Sequence, residues 1–294
     1  MRADILEKDY YVTLLLEELA SKQDWLPAYF KGGTALYKAL GKMRRFSEDI
    51  DIMVRTDGCS KTQGKKRLEA AANGYVALVR DKEDPDSSNR RGSITSVYRY
   101  EGTVPFAALD ALQRFGRVKV EATSFTVSEP TAPMEVSALV WDLADSTERE
   151  VLSGSFSVFP FEVQTITLER IFVDKVFAAQ FYYERGMLLD AAKHLYDVCV
   201  LVDDENIRAL LSTEGSFESV ARFKRAEELS RIGSNQAQAR PADFAYLRAD
   251  LADPVFEAFE KMQRIYVLDE QCCFDAADVV SRLRGLRSRF REWT

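Results

Sequence analysis

Residues 30–54 read FKGGTALYKALGKMRRFSEDIDIMV, and the rest of the chain is understood from this stretch. Near its end Ile50, Ile52 and Val54 alternate with Asp49, Asp51 and Met53, the period of a strand with one buried face and both aspartates on the other. Residues two apart on a strand lie roughly 6.6 Å apart along it, so two such carboxylates can serve a metal pair about 3.5–4 Å apart. Their oxygen atoms suit a hard divalent ion, Mg²⁺ or Mn²⁺. Upstream, the apolar stub 28–30 leads into Gly32 and Gly33, and then into a helix-like run from Thr34 to Leu40. The first turn of that run would present backbone N–H groups to a phosphate, with Thr34 as its cap or as a hydrogen-bonding hydroxyl. Arg44 and Arg45 precede the acids, where forked donors suit a triphosphate or a nucleic-acid backbone.

Taken singly these features say little. Acids two apart are common as solvated residues at strand ends, and a Gly-Gly pair is mostly backbone geometry. The ordered series is more specific: strand, GG-[ST], helix, then S-x-D-x-D. KGGTAL at Lys31–Leu36 and RFSEDIDI at Arg45–Ile52 resemble the nucleotidyltransferase fold of the polymerase-beta superfamily, and specifically the AbiEii/AbiGii-type toxin family that includes the MenT-like toxins. LEKDYYVTLLLEELA at Leu6–Ala20 resembles that family's opening helix, ERIFVDKVFA around Lys175 its lysine motif, and KHLYDVCVL around Asp197 its closing motif.

Composition sets outer bounds. The 294 residues are 46% hydrophobic and 30% charged, a folded composition long enough for two domains. A net charge of −7 argues against non-specific coating of nucleic acid, which depends on phosphate neutralisation, but leaves room for a local basic cleft. The four cysteines show no C-x-x-C spacing, so reduced thiols are expected. The one histidine, His194, rules out multi-histidine metal sites, so carboxylates and lysines must carry the chemistry. With no signal-peptide core and no long apolar run, a cytoplasmic protein without a membrane span is expected.

Along the chain, Ile5–Ala20 reads as a packing helix, with Tyr10 and Tyr11 at the core edge, and Lys61, Lys65, Lys66 and Arg67 open another helix. Residues 81–91 read as a loop and Ser93–Tyr100 as a strand. In a further strand, Arg117–Phe125, Val118, Val120 and Ala122 face one way and Glu121 the other. Residues 126–161 suggest edge strands or a connecting lobe. A boundary near Phe161 divides an N-terminal domain, 1–161, from a helical domain, 162–294.

In the expected helix Thr165–Arg185, the residues Glu169, Arg170, Asp174, Gln180, Glu184 and Arg185 form a water-facing side. Lys175 falls opposite, among Leu168, Ile171, Phe172, Ala179 and Tyr182, where an ammonium needs anionic partners. In the next helix, Leu188–Val202, periodicity puts Asp197 on a polar face with Asp190, Lys193 and His194. Helices are expected at 205–211, 217–232, 243–251 and 254–268. Arg222, Lys224, Arg225, Arg231 and Arg240 either line an RNA groove or form the exposed sides of these helices. The basic end segment, with Arg282, Arg284, Arg287, Arg289 and Arg291, is a candidate RNA or partner contact.

The expected architecture is α/β (α+β): an N-terminal nucleotidyltransferase mixed sheet with flanking helices, followed by an all-helical domain. Asp49 and Asp51 are the candidate metal ligands. The resemblance implies Glu121 as a third acid or the base, and Lys175 and Asp197 as functional residues. It also implies Lys31, Gly32, Gly33, Thr34, Arg45, Ser47 and Lys175 around an NTP co-substrate. It further implies the toxin of a bacterial toxin–antitoxin or abortive-infection system, transfer of NMP to an RNA acceptor at the tRNA 3′ end, and a cognate antitoxin. Modification of a protein hydroxyl or small molecule, metal-dependent nuclease action, and nucleotide binding without catalysis remain open alternatives.

Overall fold

A computed structural model describes residues 2–39, 41, 45–104, 115–124, 130–231, 238–267 and 269–292. The chain divides into two compact units. Unit 1 comprises Met1–Met43, Ser47–Phe125 and Thr131–Ile166; unit 2 comprises Arg44–Phe46, Thr126–Pro130 and Thr167–Thr294.

In unit 1, helix α1 (Ala3–Gln23) precedes β1 (Ala28–Lys31), α2 (Gly32–Lys38), β2 (Ile50–Val54), α3 (Lys61–Ala72), β3 (Val79–Asp81), β4 (Ser88–Arg90), β5 (Ser93–Arg99) and β6 (Arg117–Thr123). Then come β7 (Thr131–Val136), α4 (Leu139–Leu143), α5 (Ser146–Phe156) and β8 (Phe161–Ile166). The strands form one mixed sheet in the order β3-β5-β6-β2-β1-β8-β7, with β4 beside β5. The pairs β2–β6 and β1–β8 are parallel and the other pairs antiparallel.

Strand β2 is interior to this order, and Ile50, Ile52 and Val54 are fully buried, as their alternation predicts. On β6, Val118, Val120 and Ala122 are fully buried while Lys119 and Glu121 are only partly covered. Leu15, Leu16 and Leu19 bury the apolar stripe of α1. Removing each such side chain from water stabilises the fold by about 1.5–3 kcal/mol. Asp9 ties three helices together: it accepts from the Tyr37 hydroxyl, from Lys38 Nζ at 2.6 Å, and from the Leu139 amide at 2.6 Å. Tyr11 stacks on Tyr100 with ring centroids 4.1 Å apart.

Several expectations change. Residues 81–91 are not one loop: Asp81 ends β3 and Ser88–Arg90 forms β4. Arg99 and Arg117 hold Asp81, Asp84 and Asp86, which neutralises a stretch that looked too polar to pair. The region expected as edge strands or a lobe contains β7 but also α4 and α5. Helix α5 starts at a reciprocal cap between Asp145 and Glu148. Thr165 and Ile166 belong to β8, so the following helix begins at Leu168. Helix α2 begins at Gly32, and Leu40, its expected end, lies outside the described residues, as does Phe125.

Unit 2 contains α6 (Leu168–Glu184), α7 (Leu188–Leu201), α8 (Glu205–Ser212), α9 (Ser216–Arg231), α10 (Val255–Tyr266) and α11 (Ala276–Glu292). Residues 243–251 contain short 3-10 turns instead of an α-helix. The side of α6 expected to face water is partly internal. Arg170, 1% exposed, pairs with Asp174 and with Glu227 of α9, and Gln180 accepts from the Ala245 amide at 2.8 Å. Lys224 is likewise internal, beside Asp174, Glu227 and Glu228. Arg225 binds Glu218 and the Ala239 carbonyl, and Arg240 pairs with Asp243; the Arg231 side chain lies outside the described set. Lys224, Arg225 and Arg240 are thus engaged by acids or a carbonyl of their own unit, while Arg222 is exposed. No described helix is long and apolar enough to cross a membrane.

Candidate active site

In unit 1 the site is built on the parallel β2–β6 pair. Its register sets Asp51 opposite Glu121 and Ile50 opposite Val120, so one residue earlier Asp49 stands level with Lys119. Lys119 Nζ lies 3.2 Å from Asp49 Oδ2 and 2.8 Å from Glu121 Oε1. Burial alone would lower the Lys119 pKa, but Asp49 and Glu121 outweigh it and hold the ammonium above the usual lysine range. The Asp49 and Glu121 side chains are 37% and 35% exposed, open enough to meet a ligand from solvent.

Asp51 is fixed from the other side by β1, where it stands opposite Lys31. The next residue, Gly32, has φ +84°, and a Cβ there would lie 2.8 Å from Asp51 Cγ and overlap its Oδ2. Only glycine suits both the left-handed backbone and this close approach. Gly33 follows inside α2.

Thr34 does not cap α2. The flanking residue is Lys31, in extended conformation, and Thr34 is fully buried. Its Oγ1 donates to the Asp49 carbonyl at 2.6 Å and lies 3.0 Å from Ser47 Oγ. A carbonyl only accepts and a hydroxyl has one proton, so the Ser47 hydroxyl is the donor toward Thr34. Thr34 and Ser47 thus brace the backbone that carries Asp49.

Lys8 of α1 was missed in the sequence reading. Almost fully buried, it donates to the Arg117 carbonyl and lies 3.6 Å from Glu48 Oε2. Burial lowers its pKa, while Glu48 and Asp49 oppose that shift. Glu48, next to Asp49 in sequence, is also buried. Lys119 was missed as well, although it shares the strand face of Glu121 two residues on. Alternation alone signalled that placement.

The second group lies within unit 2. Arg45 Nε and Nη2 donate to the two Asp197 carboxylate oxygens, each at 2.7 Å, and Lys175 Nζ lies 2.8 Å from Asp197 Oδ2. All three side chains are at most 10% exposed. Burial would raise the Asp197 pKa, but Arg45 and Lys175 outweigh it and hold the carboxyl far below the usual range. Arg45 is held in turn by its bridge to Val267 and by the Phe46 amide donating to the Tyr266 carbonyl at 2.7 Å. Its fork, expected to grip phosphates, is occupied by Asp197; Arg44 lies outside the described residues. Burial lowers the His194 pKa, Lys175 adding to the effect, and its ring stacks on Tyr182. Asp197 is therefore not the solvated residue that helical periodicity suggested, because Arg45 and Lys175 reach it from distant sequence.

The mixed sheet thus carries Asp51 on an interior strand, Asp49 just before that strand, and a glycine turn packed against Asp51. The chain is similar in structure to MenT4, a nucleotidyltransferase toxin from Mycobacterium tuberculosis H37Rv, with a TM-score of 0.58 and 14% identity, covering 99% of this chain and 86% of that one. A candidate nucleotidyltransferase from H. pylori is similar with a TM-score of 0.47 and 16% identity, over 100% of this chain and 99% of that one. No curated protein matches the sequence. The profile of the family described as nucleotidyl transferase AbiEii toxin, type IV TA system, matches residues 14–269. The chain belongs to this family of nucleotidyltransferase toxins, whose systems pair a toxin with an antitoxin.

Proposed function

We propose that the chain transfers NMP from an NTP to an RNA acceptor, the tRNA 3′ end, and so blocks translation. The supporting observation is the β2–β6 register, which sets Asp51 opposite Glu121, together with the Lys119 ammonium that binds both Asp49 and Glu121. The donor set is all carboxylate oxygen, and a cation already occupies part of it, so the residues fit a hard divalent ion. Asp49 and Asp51 would hold Mg²⁺ or Mn²⁺, with Glu121 as a third acid or as base for the attacking hydroxyl. Such an ion, when bound, neutralises phosphate charge and aligns the displacement. Lys31, Gly32, Gly33, Thr34 and Ser47 are assigned to the nucleotide, the last two through the backbone they brace. In unit 2, Lys175 pairs with Asp197, which Arg45 also holds, and Lys175 is assigned to the charge that develops on the leaving pyrophosphate.

The test is incubation of the purified protein with Mg²⁺, each α-labelled NTP in turn, and total RNA, beside the Asp51→Ala variant. Label on small RNAs that the variant loses supports the proposal and identifies the donor. The net charge of −7 favours one rival, transfer to a protein or small molecule. Label on protein would move the assignment there, and a folded protein that labels nothing would overturn transfer altogether.

A further inference from the structure

We propose that Lys119 is an internal counter-cation that holds Asp49 and Glu121 together and competes with a divalent ion for Asp49. The inference rests on the assignment of Asp49 and Asp51 as metal ligands. Lys119 sits on β6 two residues before Glu121 and level with Asp49 across the parallel pair, so one flexible side chain reaches both acids without any change of backbone. Its Nζ, 3.2 Å from Asp49 Oδ2 and 2.8 Å from Glu121 Oε1, engages a carboxylate oxygen of Asp49, one of the two residues assigned to the ion. Among the described residues, no three His, Cys, Asp or Glu side chains converge as a ready-made metal site. An ammonium accepts looser and longer contacts than a divalent ion, which demands short oxygen ligands. At 3.2 and 2.8 Å, the Lys119 contacts are longer than the oxygen contacts that Mg²⁺ or Mn²⁺ requires. The lysine side chain is 26% exposed and can swing outward on its four-carbon stem. The device would make metal binding an exchange of one cation for another. It would also leave a released ammonium beside the site, free to meet the phosphates that arrive with the ion.

The experiment titrates Mn²⁺ into the full-length protein and reads the free aquo ion by electron paramagnetic resonance. Wild type is compared with Lys119→Met, Lys119→Gln, Lys119→Arg, Asp49→Asn and Asp51→Asn, with circular dichroism on each to establish folding. If two partly exposed ion pairs compete with the metal, Lys119→Met and Lys119→Gln should bind Mn²⁺ about tenfold more tightly than wild type. Lys119→Arg, which keeps the charge, should stay near wild type. Binding that needs both aspartates but is unchanged or weaker in Lys119→Met and Lys119→Gln would overturn the inference alone. Binding indifferent to Asp49→Asn and Asp51→Asn would overturn the metal assignment and the inference with it.

Discussion

The carboxylate of Asp51 occupies the space that a Cβ on Gly32 would need. Any side chain at position 32 therefore meets two penalties, the positive φ and the collision. Gly32→Ala should destabilise the protein by about 1–3 kcal/mol through the disfavoured backbone alone. It should also displace Asp51 and abolish nucleotide transfer. Urea unfolding together with the labelled-NTP assay measures both. A Gly32→Ala protein with wild-type stability and transfer would mean that Asp51 does not need this position.

Asp49 and Asp51 should respond differently from a core residue. Asp49→Asn keeps the shape of a partly exposed side chain and gives up only its ion pair with Lys119, so stability should change by no more than about 1 kcal/mol. Transfer should nevertheless fall by about a hundredfold or more, the scale of losing an electrostatic stabiliser in an active site. Ile52→Ala, one position beyond Asp51 and fully buried, should cost about 2–5 kcal/mol of stability. Single-turnover labelling and chemical denaturation separate the two kinds of loss.

The Lys8–Glu48 pair offers a double-mutant cycle. Removing one member of a buried pair leaves the other charge uncompensated, so Lys8→Met and Glu48→Gln should each cost about 3–5 kcal/mol. The double variant should be less destabilised than the sum of the two singles. Strict additivity by denaturant titration would show that the pair is not coupled.

Asp197 gives a pH dependence with a definite sign. Its folded-state pKa is depressed by Arg45 and Lys175, so between the folded and unfolded values the unfolded chain binds more protons. Its contribution to stability is fully present above the unfolded value near 4 and is lost as pH falls below that. Asp197→Asn should cost about 3–5 kcal/mol at neutral pH, because two buried cations lose their anion. The variant should also show a shallower fall in thermal stability between pH 5 and pH 3 than wild type. Equal slopes in thermal melts across that range would contradict the assignment.

The local parts of the site were legible because strand alternation and glycine chemistry are short-range properties. Ile50, Ile52 and Val54 had to share a face, and Glu121 had to point away from Val118, Val120 and Ala122. The order of GG-T and S-x-D-x-D was specific enough to indicate the nucleotidyltransferase fold, and the family profile shows membership. Helices α1, α6 and α7 were likewise readable, since each carries an apolar stripe that the core buries.

Tertiary structure decided which charges meet. A helical wheel has no means of knowing that Arg45 forks onto Asp197 at 2.7 Å from 152 positions away, so it left that acid in water. For the same reason it placed Arg170 outside, although Glu227 waits for it on another helix. The role of Thr34 as an inward brace, the buried Lys8 beside Glu48 and the bridging position of Lys119 all depend on strand register and helix packing. Periodicity settles which face a residue occupies, because that follows from its own backbone. The identity of its partner belongs to the fold, where long-range pairing brings opposite charges together and burial makes each unpaired charge costly.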